Sequence, residues 1–216
     1  MYETVIFDLD GTLLDTLGDL HASVNVALTA YDLQPRTKEE VRAFVGNGVA
    51  KLIERAAGNV PQTLFENLLA AFKEHYAAHC KDRTKPYDGV MEVLQALKKR
   101  GVKTAVLSNK PDFAVKLLAE EYFHGYLQSA VGENEAGGIR KKPAPDSLFA
   151  VIDELQAKKE STVYVGDSEV DIQTARNAGV DCISVTWGFK DRAFLVENGG
   201  KILIDEPKEI LRFCGE

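Results

Sequence analysis

Three observations predict an α/β protein built on a doubly wound parallel sheet with an inserted helical cap domain. From Tyr87 onward, short apolar runs alternate with amphipathic stretches of helical period, which is the trace that βα units leave in a sequence. The run Val5-Ile6-Phe7 near the front reads as one more buried strand of that sheet. Between the two, residues 15–82 keep a helical pattern with no convincing strand.

Taken in order, the first strand runs into Asp8-Leu9-Asp10-Gly11-Thr12. Spacings such as Val24, Ala27, Leu28 and Leu64, Leu68, Leu69, Phe72 put apolar side chains on one helical face, and four helices fill the insert. Lys85-Pro86-Tyr87-Asp88-Gly89 reads as the return linker, with Asp88 as the cap of a helix that runs to Arg100 and stops at Gly101. Strand-like Thr104 to Leu107, Leu127 to Val131 and Val163 to Val165 are each followed by a helical stretch: Phe113 to Glu121, Ser147 to Leu155 and Ile172 to Ala178. Cys182 to Val185 and Ile202 to Ile204 complete the sheet. The expected division is a core of residues 1–14 and 83–216 and a cap of residues 15–82.

Composition excludes several functions. A chain of 216 residues with 45% hydrophobic and 27% charged residues buries a full core and carries a modest second domain. A net charge of -7 argues against nucleic acid as a partner, and Lys98-Lys99-Arg100 and Lys141-Lys142 are too short to reverse that. Three cysteines without a C-x-x-C pair fit free thiols in a reducing cytosol. No stretch approaches the roughly 20 apolar residues of a membrane span, and carboxylates occupy the place of a signal peptide's apolar region. A cytoplasmic location with no membrane partner is expected, and neither monomer nor homodimer is specified.

The chemistry concentrates at predicted strand ends, where open α/β sheets bind their ligands. Asp8 sits at one such end and Asp10 leaves it on the same side, so two carboxylates meet in a small volume and repel unless a cation or a shared proton intervenes. Ser108-Asn109-Lys110, after Val106-Leu107, supplies a hydroxyl and free amides beside a helix start, which suits a phosphate. Lys142 precedes Pro143-Ala144-Pro145-Asp146, whose prolines stiffen the backbone around its ammonium. Val163-Tyr164-Val165 ends in Gly166-Asp167-Ser168, with Asp171 at the start of the next helix. Singly, these residues have ordinary readings: Asp167 or Asp171 as a helix cap, Lys142 as a surface lysine before proline. Their occurrence in order on the strand ends of one sheet is far more specific.

With these motifs the chain resembles the haloacid dehalogenase superfamily of phosphohydrolases over essentially its whole length. The resemblance implies a haloacid dehalogenase-like, Rossmannoid core, with Asp8 as nucleophile, Asp10 as general acid and then base, Ser108 on the phosphate and Lys142 offsetting charge. It also implies Mg²⁺ held by Asp8, the backbone carbonyl of Asp10 and Asp167, with Asp171 and Ser168 supporting that shell and Thr12, Asn109 and Lys110 near the substrate. Because true dehalogenases of that superfamily lack the acid matched by Asp10, dehalogenation is disfavoured. Arg42-Ala43-Phe44-Val45-Gly46-Asn47-Gly48 is similar to the R-x-x-x-G-x-G cap loop of bacterial phosphoglycolate phosphatases, which makes Arg42, Gly46, Asn47 and Gly48 candidate substrate contacts and a small phosphorylated metabolite the expected substrate. As an isolated pattern the same loop is a plain helix–helix turn.

A pyrophosphatase, a β-phosphoglucomutase or a phosphonatase with Lys51 as Schiff base are alternatives on the same fold, and a non-catalytic phosphometabolite-binding module is the alternative from another class. His21, His75, His79 and His124 are scattered on helices and read as packing or solvated residues. Glu39-Glu40 and Glu120-Glu121 read as solvated helix faces, and Trp187-Gly188-Phe189 as a loop near the site used for core packing.

Overall fold

The computed structural model describes residues 1–215. Strand β1 (Thr4–Phe7) passes through a short strand β2 (Leu14–Asp15) into the helices α1 (Leu17–Thr29), α2 (Lys38–Phe44), α3 (Val49–Ala57) and α4 (Gln62–His79). The chain returns through β3 (Lys85–Pro86), and β2 and β3 pair as an antiparallel ribbon at the two crossings. That ribbon is absent from the sequence reading, because two-residue strands carry no period. After it come α5 (Val90–Lys99), β4 (Lys103–Pro111), α6 (Asp112–Phe123), β5 (Ser129–Glu133), α7 (Asp146–Glu154), β6 (Thr162–Gly166), α8 (Glu169–Ala178), β7 (Asp181–Val185), α9 (Arg192–Glu197) and β8 (Ile202–Ile204).

The main sheet has six parallel strands in the order β5-β4-β1-β6-β7-β8, with β1 near its middle. Alternation along β1 sends Val5 and Phe7 to a face covered by α5 and α6, and Ile6 to a face covered by α7 and α8. Both faces are therefore buried, which explains why the strands read as continuous apolar runs. The four helices of the insert share the first of these apolar clusters through Leu20, Val24, Val41, Ile53, Leu68 and Phe72. Asp19 of α1, fully buried, fixes the return connection: its carboxylate accepts the backbone N–H groups of Arg83 (3.0 Å) and Thr84 (2.9 Å) and the Thr84 hydroxyl (2.8 Å).

Two local expectations are corrected. Helix α5 is capped by Gly89 in a left-handed conformation, not by Asp88. β4 continues past the expected end at Leu107 to Pro111, so Ser108, Asn109 and Lys110 lie on the end of an extended strand, and α6 begins at Asp112, one residue before the expected start. Among the described residues, no helix is long and apolar enough to cross a membrane, and Cys80, Cys182 and Cys214 are free thiols.

Candidate active site

β1, β4 and β6 end side by side beneath the helices of the insert, and their last residues surround one cleft. Asp8, Asp10, Ser108, Asn109, Lys110, Asp167 and Ser168 line it from the sheet, while Gly46, Gly48, Val45, Val49, Leu52 and Tyr76 close it from above. The cleft is small, with a cavity volume of ≈ 40 Å³. Lys142, Asp171 and Thr12 lie buried just behind this lining.

Asp8 is held by the Leu9 N–H (2.7 Å) and by the Lys142 ammonium (3.0 Å), both on Oδ1. Burial pushes its carboxyl up from 3.8 to about 6; Lys142 and a Ser108 hydrogen bond pull it down, while Asp171 and Asp10 push it further up. Lys142 also donates to Asp171 Oδ1 (2.7 Å) and to the Tyr164 hydroxyl (2.9 Å), which in turn donates to the Leu107 carbonyl (2.7 Å). Burial alone would lower the Lys142 ammonium, yet Asp171 and Asp8 outweigh it and hold the group well above its ordinary value. The other oxygen of Asp171 accepts the Ser168 N–H (3.0 Å) and hydroxyl (2.6 Å). Asp171 thus both caps α8 and positions Lys142, which joins its two sequence readings.

Oxygens of Asp8, Asp167 and Asp171 lie within 4.8 Å of one another, all buried. Asp171 is fully engaged by Lys142 and Ser168, so Asp8 and Asp167 are the pair with capacity to share a cation. Asp167 receives the Phe189 N–H (2.6 Å) and, at 3.5 Å, the Thr12 hydroxyl, but no ammonium among the described residues. Burial, then Asp171 and Asp8, push its carboxyl well above the usual carboxylate range. Two buried carboxylates, Asp167 without a counter-charge and Asp8 sharing its lysine with Asp171, in a low-dielectric pocket with oxygen-only donors fit a hard divalent ion such as Mg²⁺.

This arrangement has a pH consequence. A carboxyl raised in the folded protein is neutral there while already ionised in the unfolded chain, so its contribution to stability falls as pH rises between about 3.8 and about 6. Thermal melts in chelator are expected to show this group costing stability at pH 7 relative to pH 5, with Mg²⁺ raising Tm more at pH 7. Equal Mg²⁺ stabilisation at both values would contradict a carboxylate metal site.

Asp10 faces Lys110, whose ammonium donates to Asp10 Oδ1 at 2.7 Å and lies 4.7 Å from the centre of the Tyr76 ring. Tyr76 of α4 is fully buried with its hydroxyl unpaired; helical period marks it as core, and nothing local marks it as part of a cleft. Asn109 acts as a bracket: its amide donates to the carbonyls of Gly46 (3.2 Å) and Lys142 (3.0 Å) and accepts the Lys142 N–H (2.9 Å). Two cap residues are placed elsewhere than the sequence suggested. Arg42 donates to the carbonyls of Gly188 and Phe189, outside the main cleft. Asn47 accepts from Arg55 (2.8 Å), also away from the cleft. Lys51 is exposed and bound to Glu54 (2.7 Å). None of the four histidines lines the cleft. The Trp187-Gly188-Phe189 loop lies near the site as expected, and beyond the packing role expected of it the Phe189 N–H donates to Asp167.

Strand ends that gather carboxylates around two buried lysines, under a helical cover, define a phosphoryl-transfer hydrolase of the α/β class. Residues 5–185 match the family model for haloacid dehalogenase-like hydrolases, and the chain belongs to that family. The phosphoglycolate phosphatase of Pseudomonas syringae pv. syringae is 35% identical over 217 residues, covering 97% of this chain and 79% of that protein. That of Agrobacterium fabrum is 35% identical over 206 residues, covering 93% and 87%. A crystal structure from Lactobacillus delbrueckii subsp. bulgaricus, of a protein provisionally named phosphoglycolate phosphatase, superposes with a TM-score of 0.93 at 37% identity, covering 100% of this chain and 99% of that one. The protein is a phosphatase of this family.

Proposed function

We propose that the protein is a Mg²⁺-dependent phosphomonoester hydrolase that works through an aspartyl phosphate on Asp8, with 2-phosphoglycolate or a similarly small phosphorylated metabolite as substrate. The observation that carries the reading is Asp8 itself: a buried carboxylate at the end of the central strand β1, held on one oxygen, beside Lys142 and Asp167. Its carboxylate attacks phosphorus and the ester P–O bond breaks, while Asp10 gives its proton to the departing alkoxide. Water then attacks the same phosphorus, loses a proton to Asp10, and phosphate leaves with Asp8 restored. Ser108 and Lys142 place hydrogen bonds and charge around the transferring group. Asp8, Asp167 and the carbonyl of Asp10 would hold Mg²⁺, which offsets the repulsion between carboxylate and phosphate.

The narrow cleft supports a small leaving group, as do the names of the relatives. Residues 15–82 serve in this reading as the cap and 1–14 with 83–216 as the core. With Arg42 and Lys51 outside the cleft, Lys110 and Lys190, which line it, and the backbone around Gly46 and Gly48 are left to meet a substrate carboxylate. The exposed, Glu54-bound Lys51 also removes the Schiff-base candidate of a phosphonatase. A purified-protein screen across phosphorylated metabolites, with and without Mg²⁺, is expected to give the highest kcat/KM for 2-phosphoglycolate and none in chelator. Sugar phosphates or pyrophosphate hydrolysed as efficiently would overturn the substrate while leaving the phosphatase class.

Gly48 carries a second expectation. At φ +85° it sits in a conformation that favours glycine, and an added Cβ would stand 3.1 Å from Glu133 Oε2 and 3.5 Å from the Asn109 carbonyl. The glycine lets the cap seat on the core. Gly48→Val is expected to lower kcat/KM about tenfold or more for small and bulky phosphate esters alike, since it disturbs closure rather than one leaving group. A loss confined to one substrate would show that this position touches the leaving group.

A further inference from the structure

One series of contacts crosses from the helical insert to Asp167, the site carboxylate that no ammonium reaches among the described residues. Arg42, near the end of α2, grips the loop after β7: Nε donates to the Phe189 carbonyl at 2.8 Å and Nη2 to the Gly188 carbonyl at 2.6 Å. Lys190 of the same loop reaches back and donates to the Ala43 carbonyl at 3.0 Å. On the loop's other side, the Phe189 N–H donates to Asp167 Oδ2 at 2.6 Å. There is no slack at this crossing, because a Cβ on Gly188 would collide with the Asp167 side chain and the Gly11 carbonyl. Trp187 ties the loop to the β1 turn through its indole N–H and the Thr12 carbonyl, 3.1 Å apart. A planar guanidinium on two successive carbonyls fixes both the position and the direction of that backbone.

We propose that Arg42 is a positioning residue that latches the insert onto the 187–190 loop and thereby holds Asp167 in the orientation that binds Mg²⁺. The inference rests on the reading of Asp167 as a metal ligand. It gives a role to an arginine that lies outside the main cleft, and it makes cap seating and metal binding mutually favourable, since each stabilises the same loop position.

Trp187 is the only tryptophan in the chain, so its emission, checked by calorimetry, reports Mg²⁺ binding without substrate. Arg42→Ala is expected to weaken Mg²⁺ affinity at least about tenfold, with Arg42→Lys restoring part of the loss. Arg36→Gln, which cuts an arginine–carbonyl bond inside the insert (Arg36 Nε to Ala56, 2.7 Å), leaves it unchanged. The kcat/KM of Arg42→Ala falls by a common factor for 2-phosphoglycolate and p-nitrophenyl phosphate and recovers at saturating Mg²⁺. Wild-type Mg²⁺ affinity in Arg42→Ala, with affinity lost in Asp167→Asn, overturns the latch and spares the site. Wild-type affinity in Asp167→Asn overturns the metal assignment and the latch with it. A loss in Arg42→Ala for 2-phosphoglycolate alone makes the residue a substrate contact and also overturns the latch.

Discussion

Asp8→Asn is expected to lower kcat by at least about 10³-fold while the fold survives, because it removes the nucleophile and leaves the shape. An amide oxygen still accepts the Leu9 N–H that holds Oδ1 at 2.7 Å, so the end of β1 keeps its geometry. The change also deletes a charge that burial disfavours, the same burial that pushes the carboxyl to about 6. The metal-free variant should therefore melt no lower than wild type at pH 7, and its loss of activity will not be a loss of structure. Turnover, Tm and trapping of phosphoenzyme by acid quench are the measurements. A variant with near-wild-type turnover, or one that still traps phosphate, would remove Asp8 from the role given to it.

Asp8, Lys142 and Asp167 were legible in the sequence. Asp8 and Asp167 each follow a short apolar run, and a parallel sheet places such strand ends together whatever the loops do, while Lys142 was marked by the proline-stiffened segment that comes after it. Asp171 was legible twice, as helix cap and as site residue, and Oδ2 and Oδ1 perform the two tasks separately. The parallel sheet and the four helices of the insert followed from period alone.

What escaped were partnerships between distant residues. Arg42 lies 146 positions from Gly188, and no local pattern shows that a guanidinium in an R-x-x-x-G-x-G loop turns to a core carbonyl. Tyr76 obeys the helical period of α4, so its burial was predictable but its place over Lys110 was not. Trp187-Gly188-Phe189 held the one usable hint: a glycine between two aromatics marks a place where backbone comes close, and here the close neighbours are Asp167 and Gly11. The β2–β3 ribbon, two residues on each side, is too short for any periodicity.

Removal of Lys142 is expected to have the largest effect on stability. Its ammonium, almost wholly buried, lies 3.0 Å from Asp8 and 2.7 Å from Asp171, and among the described residues no other cation pairs with either carboxylate. Lys142→Met keeps much of the side-chain volume but leaves buried carboxylates without their counter-charge, a change that costs about 3–5 kcal/mol when a buried pair is broken. For a chain of this size that corresponds to a fall in Tm of roughly 6–20 °C at pH 7 in chelator. Part of the loss should return below pH 6, since Asp8 without Lys142 holds its proton more strongly and the neutral form needs no partner. The double variant Lys142→Met with Asp171→Asn should be more stable than Lys142→Met alone, because it removes the stranded charge as well. Both variants should lack activity, so stability and function separate. Strict additivity of the two substitutions, or a Lys142→Met protein as stable as wild type at pH 7, would show that the lysine does not hold these carboxylates together.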